Sequence, residues 1–385
     1  MQIGFLLFFI SSALFALPAE AFREVSSEEV RRARPGDVLR VLPLSGGAPN
    51  GAKAYRMLYR STGAKGEPVL VSGAIFFSDR PVVEGAERPV VAWAHPTTGV
   101  SSSCSPTLRT DFFNKIPGIE EMLREGYVVV ATDYVGLGTR GPHPYLVGDS
   151  QARAVLDSVR AARRLSHARA SSRFIAWGHS QGGHAALFTG ELAPTYAPEL
   201  ELVGVAAAAP ATNLAELFRD DVGSVWGNTL TAMALFSWSK VYKLNADDLI
   251  HDDARSAFRR VANDCLESLG DVLRILQDEK PLETRFLKRD PTEIPVWRSI
   301  MDENSPGRRR IAAPIFIAQG LRDKIVPHAV TRQFALQSCQ RGTRVTYMEM
   351  TSIAHMNAAT HSARRTINWM KYRFTNKNVG DSCPS

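Results

Sequence analysis

Ser180 lies in the run Gly178-His179-Ser180-Gln181-Gly182-Gly183, a spacing that suits an activated hydroxyl nucleophile. The apolar run before it, Phe174-Ile175-Ala176-Trp177, predicts a buried parallel strand that stops at Gly178. Small residues from His184 onward predict a helix directly after Ser180, so the serine must occupy the turn between strand and helix, as in the G-x-S-x-G elbow. A turn this sharp strains its central residue, and glycines at the flanking positions remove Cβ atoms that would collide with strand and helix. The Ser180 Oγ is then pushed clear of the sheet, at a helix N-terminus whose dipole and free N–H groups favour developing negative charge. The backbone N–H of Gln181 is expected to form one half of an oxyanion hole.

Such a serine needs a base, and the base needs an acid to orient it. The apolar segment 314–318 runs into Gln319-Gly320-Leu321-Arg322-Asp323, which places Asp323 just past the end of a strand, before a helix opened by Pro327. Asp323 is the expected acid; standing alone it would read as a capping or salt-bridged aspartate. A last strand over 344–350 leads into Ser352-Ile353-Ala354-His355-Met356, and His355 is the expected base. His361 competes for that role but falls inside the following helical pattern. The order Ser, Asp, His is that of α/β-hydrolases. The second oxyanion donor should come from His95-Pro96-Thr97-Thr98-Gly99. Proline has no N–H, so the Thr97 N–H, together with its hydroxyl, is the expected donor.

Positioning these groups requires a sheet. Segments 38–44, 54–61 and 68–77 read as strands between Gly/Pro turns, and 89–94 and 127–132 are continuous apolar runs that imply strands covered on both faces. Helical patterns occupy 120–125, 150–166 and the stretch after Ser180. Core strands at 202–208 and 314–318 are separated by about a hundred residues of helical periodicity, clearest at 253–269 and 272–276. The expected fold class is α/β, an α/β-hydrolase fold with a mostly parallel central sheet and an inserted helical cap. Its parts are a body over 22–211 and 311–385 with a cap over 212–310. Within the cap, Trp226, Leu235, Phe236, Trp238 and Val241 offer the lining of an acyl channel, against ordinary cap core as the plainer role. Gly136-Leu137-Gly138-Thr139-Arg140-Gly141 matches G-x-G-x-x-G, but Pro142-His143-Pro144 blocks the helix that a dinucleotide site needs.

With 385 residues, 44% hydrophobic, the chain can bury a large core, and 22% charged residues of both signs exclude a disordered polymer. The formal charge of +7 does not signify nucleic acid, because Arg308-Arg309-Arg310 is the only dense basic run and no nucleic-acid motif accompanies it. Weak attraction to anionic surfaces, and so transient contact with a lipid interface, is an expected by-product. Residues 3–17 are almost wholly apolar and end in Pro18-Ala19-Glu20-Ala21, which predicts a signal peptide at 1–21 cut after Ala21 and a secreted or periplasmic protein. The missing basic n-region leaves an uncleaved anchor as the alternative. Cys104, Cys265, Cys339 and Cys383 form no C-x-x-C, which argues against zinc. Of three possible disulfide connectivities, Cys104–Cys265 with Cys339–Cys383 is favoured, because the second pair would pin the tail to a nearby helix.

The elbow, the segment Asp133-Tyr134-Val135-Gly136-Leu137-Gly138 running into Gly141-Pro142-His143-Pro144-Tyr145-Leu146, the loop Ala94-His95-Pro96-Thr97-Thr98-Gly99 and Gly320-Leu321-Arg322-Asp323 together resemble the secretory lipase family of α/β-hydrolases, which includes the yeast lipase A type and bacterial homologues. The likeness runs from about residue 40 to the C-terminus. It implies exported hydrolases of carboxylic esters, triacylglycerols included, with a helical cap, no metal and no organic cofactor, and with Ser180, Asp323 and His355 matching nucleophile, acid and base. Pro96 departs from the His-Gly that many hydrolases carry in the oxyanion loop. Two rival readings use the same scaffold: a serine peptidase, and a secreted binding protein without catalysis.

Overall fold

The structure, a computed structural model, describes residues 24–221, 223–377 and 380–383. The expected signal peptide and its cleavage point lie outside the described residues. The strands are β1 (Val38–Pro43), β2 (Ala52–Thr62), β3 (Pro68–Ser78), β4 (Arg88–Ala94), β5 (Val128–Thr132), β6 (Ala170–His179), β7 (Glu201–Ala208), β8 (Ile315–Gly320) and β9 (Val345–Met350). They form one nine-stranded sheet in the order β1-β2-β3-β5-β4-β6-β7-β8-β9. The first three strands are antiparallel and β3 joins β5 antiparallel, while every pairing from β5 to β9 is parallel.

The helices are α1 (Ser27–Arg32), α2 (Ile119–Arg124), α3 (Gly148–Arg164), α4 (Gln181–Tyr196), α5 (Leu214–Asp221), α6 (Val225–Tyr242), α7 (Arg255–Val261), α8 (Leu269–Asp278), α9 (Lys280–Thr284), α10 (Pro295–Glu303), α11 (His328–Gln340) and α12 (Ala358–Phe374). Parallel strands need crossovers, and these helices cover both faces of the sheet. Along β5, Val128 and Val130 pack with Val155 and Leu187 of α3 and α4, whereas Val129 and Ala131 pack with Met122 and Ile367 of α2 and α12. The period-two alternation of a strand thus explains why its run is apolar without interruption.

Between β7 and β8 the chain forms α5 to α10, of which α5, α6, α7, α9 and α10 share an apolar cluster around Met233, Trp238, Phe258 and Met301 that also takes in Tyr145, Leu146, Val326 and Val330 from outside this stretch. The continuous helical pattern expected over 253–269 is broken. α7 stops at Val261, and Ser268 opens α8 with a reciprocal cap, its hydroxyl accepting from the Asp271 N–H. Between them Cys265 is bonded to Cys104 and the Leu266 N–H donates to the Thr98 carbonyl at 2.9 Å, so the intervening residues are pulled out of helix by contacts with a distant loop. A second disulfide joins Cys339 on α11 to Cys383. The tail there lies along β9, with the Ser382 N–H donating to the Val345 carbonyl at 2.7 Å.

Candidate active site

β6 delivers Ser180 at its C-terminal end. The residue has φ 55° and ψ −118°, a conformation costing about 1–3 kcal/mol in a non-glycine residue. Surrounding contacts hold it there. The Ser180 N–H donates to the Ala208 carbonyl at 2.9 Å and the His184 N–H closes the first helical turn on the Ser180 carbonyl at 3.0 Å. A Cβ at Gly178 would strike the Gly182 carbonyl, and one at Gly182 would strike the Ala94 carbonyl. Both glycines therefore serve close approach: α4 begins pressed against the loop that follows β4.

Asp323 stands in the turn after β8. Its Oδ1 accepts the Ile325 and Val326 N–H groups at 2.9 and 2.8 Å, and its Oδ2 accepts from Gln319 Nε2 at 3.1 Å. Burial would raise this carboxyl, but the hydrogen bond and charge of His355, with the two backbone N–H groups, outweigh it and hold the pKa below the usual carboxylate value. The His355 loop is tied to the same turn, with Leu321 N–H donating to Met350 O at 3.0 Å and Arg322 N–H to Ile353 O at 3.1 Å. His355 bridges the two sides, Nδ1 lying 2.8 Å from Asp323 Oδ2 and Nε2 lying 2.8 Å from Ser180 Oγ. Since the carboxylate can only accept, Nδ1 carries the proton and Nε2 is free to accept from the serine hydroxyl. His361 sits exposed on α12, away from this chain of bonds.

The Gln181 side chain is drawn away from the reacting side: its Nε2 donates to Gln151 Oε1 at 2.8 Å and faces His143 Nε2 at 3.2 Å. His143 donates from Nδ1 to the Val135 carbonyl at 2.8 Å, and burial lowers its pKa to about 3, so the ring is neutral. The Gln181 backbone N–H is left at the first position of α4, where a helix has no internal acceptor. In the facing loop, His95 donates from Nδ1 to the Pro96 carbonyl at 2.7 Å and the Thr97 hydroxyl is 2.8 Å from Tyr145 OH.

Ser180, His355 and Thr97 open onto a cavity of about 270 Å³ whose walls are mainly apolar, including Trp226, Leu266 and Val272. A narrower crevice of about 40 Å³ also reaches Ser180, between Leu146, Leu217, Phe218 and Leu230. A larger cleft of about 1080 Å³ lies between α1 and strands β1 to β3 and holds none of these groups. Of the cap residues offered as an acyl channel, only Trp226 lines the main cavity. Leu235, Trp238 and Val241 are buried in the cluster around α6, where Trp238 Nε1 donates to the Tyr145 carbonyl at 2.8 Å, and Phe236 packs against Phe258. Successive residues of α6 face different ways, and sequence composition alone does not tell the cavity side from the core side. Glu267, also in the cavity wall, was not signalled by any motif; the contacts of its neighbours Cys265 and Leu266 put it there. No group of three or more His, Cys, Asp or Glu side chains among the described residues is arranged to hold a metal.

The family model described as secretory lipase matches residues 113–382. Lipase 5 of Candida albicans is 27% identical over 278 residues, 68% of this chain and 58% of that protein's own length. A probable inactive lipase of Mycobacterium tuberculosis is 26% identical over 380 residues, 91% of this chain and 81% of that one. Among solved structures, Candida antarctica lipase A superposes with a TM-score of 0.78 at 18% identity, covering 93% of this chain and 86% of the other. The rice cell wall degrading esterase LipA from Xanthomonas oryzae gives 0.72 at 22% identity, covering 89% and 98%. At these identities the two structures speak for the fold, the α/β-hydrolase arrangement expected from the sequence.

Proposed function

The chain belongs to the secretory lipase family, a family of carboxylic ester hydrolases, and on that premise we propose that it cleaves lipid or small-molecule esters by acyl transfer to Ser180. The observation that carries this reading is the unbroken run of hydrogen bonds from Asp323 through His355 to Ser180 Oγ. In the proposed mechanism His355 Nε2 takes the hydroxyl proton as Oγ attacks the ester carbonyl, and the alcohol departs with that proton. The backbone N–H groups of Gln181 and Thr97 hold the oxyanion. Asp323 keeps the imidazole in the required tautomer and stabilises its charged form, and water activated by His355 then releases the acid. No step calls for a metal or an organic cofactor.

The further parts of the proposal are an export signal at 1–21 cut after Ala21, a two-part body at 22–211 and 311–385, and a cap over 212–310 that walls the site. Two disulfides suit an oxidising compartment, and no helix among the described residues is long and apolar enough to cross a membrane. A binding protein without catalysis would be expected to have lost one of the three groups, and their intact hydrogen bonding supports the catalytic reading over that rival. The test is a hydrolysis profile over p-nitrophenyl esters of increasing acyl length, a triacylglycerol emulsion and a peptide amide. Ester turnover is the expected result; cleavage of the amide alone would replace the proposal with a peptidase.

A further inference from the structure

The main cavity contains a carboxyl group that the proposed chemistry leaves unused. Glu267 lines the cavity that Ser180 and His355 open onto, beside the apolar side chains of Trp226, Leu230, Leu266 and Val272 and with Lys115 in the same wall. Its position is built rather than incidental. The Cys104–Cys265 bond and the Leu266 N–H to Thr98 carbonyl bond fix the two residues before it, and its own N–H faces Asp271 Oδ2 at 3.3 Å. Gly99 permits this seam, since a Cβ there would strike Cys104 and the Asp264 carbonyl.

The carboxyl itself makes no hydrogen bond or ion pair among the described residues. The nearby cations are engaged elsewhere: Arg109 Nε lies 3.0 Å from Asp111 Oδ1, and Lys115 Nζ lies 3.4 Å from Asp111 Oδ2. The half-buried carboxyl lines the cavity without a protein partner, so no contact within the fold accounts for its place in this mostly apolar wall. Burial lifts it to about 8, against the pull of Arg109, and at neutral pH it is mainly the acid form, able both to donate and to accept a hydrogen bond.

We propose that Glu267 is a specificity-determining residue that selects esters carrying a hydroxyl group on the moiety filling this cavity. This rests on ester cleavage at Ser180. A hydroxyl would complete the unmet hydrogen bonding of the carboxyl, whereas a plain alkyl chain would bury it unpaired, and a site built for a polar group rejects the analogue that lacks it.

The experiment compares wild type, Glu267→Gln and Glu267→Leu on two matched pairs. One is p-nitrophenyl hexanoate against p-nitrophenyl 6-hydroxyhexanoate, the other hexyl acetate against 6-hydroxyhexyl acetate. Active enzyme is counted by fluorophosphonate titration of Ser180. Wild type should favour the hydroxylated member of at least one pair in kcat/KM, and Glu267→Leu should lose about fivefold to tenfold of that preference. Glu267→Gln, which still donates and accepts, should keep most of it. An unchanged ratio in Glu267→Leu at normal Ser180 titration would overturn the selectivity and leave ester cleavage standing. Folded wild type that turns over none of the four esters would overturn both.

Discussion

The His179 ring donates from Nε2 to the backbone carbonyl of His355 at 2.9 Å and lies against the His355 ring, centroids 5.0 Å apart. The residue before Ser180 thereby holds the backbone of His355. Burial, with the neighbouring His355 adding, lowers the His179 pKa to about 3, so the ring is neutral and the proton needed for this bond sits on Nε2. His179→Phe keeps a ring and removes the donor. One hydrogen bond is worth about 1 kcal/mol, so kcat should fall about fivefold with KM little changed. Steady-state kinetics on one soluble ester checks the split; loss of thermal stability with unaltered kcat would make His179 a packing residue only.

Asp323 has a depressed pKa in the folded chain. A depressed carboxyl contributes stability that is present above its unfolded pKa and is lost as pH falls through the folded value. The stability gap between wild type and Asp323→Asn should therefore be full at pH 7 and close in the acid range below the ordinary carboxylate pKa, as read from denaturant midpoints at several pH values. Activity should fall by about 10⁴, because an amide can donate to Nδ1 and stabilise the wrong imidazole tautomer.

The two disulfides differ in what they fasten. Cys104–Cys265 closes a separation of 161 residues and Cys339–Cys383 one of 44, and loop-closure entropy assigns them about 5 and about 4 kcal/mol. Paired Cys→Ser replacement at either should lower Tm. Only the first bond joins the loop bearing Thr97 to the cavity wall, so only its loss should also lower kcat/KM in the enzyme that remains folded.

Trp226 and Trp238 sit twelve positions apart on one helix and should respond differently. Trp238 is fully buried, and Trp238→Ala should cost about 3–5 kcal/mol in denaturant unfolding. Trp226 lines the cavity beside Ser180, so Trp226→Ala should cost much less and shift preference toward bulkier acyl groups in an ester panel.

Much of this is legible in the sequence alone. Continuous apolar runs such as 127–132 could be read as doubly covered strands because a strand alternates faces and both were packed. The elbow was legible because its glycines answer a steric demand set within six residues. The positions of Asp323 and His355, in the turns after β8 and β9, were legible from the strands that precede them. What stayed hidden depends on partners far along the chain. The break in the helical pattern at 253–269 comes from contacts with Thr98 and Cys104, and the same contacts carry Glu267 into the cavity. The roles of Trp226 and Trp238 turn on how α6 is rotated against the body, which helical periodicity does not set.

The most direct test of the central claim pairs labelling with turnover. Purified protein is treated with a fluorophosphonate, the modified peptide is located by mass spectrometry, and ester hydrolysis is compared with that of Ser180→Ala. The account predicts a single adduct on Ser180 and a kcat lower by roughly 10⁴-fold or more in the variant. An adduct on a different serine, or wild-type turnover by Ser180→Ala, would contradict it.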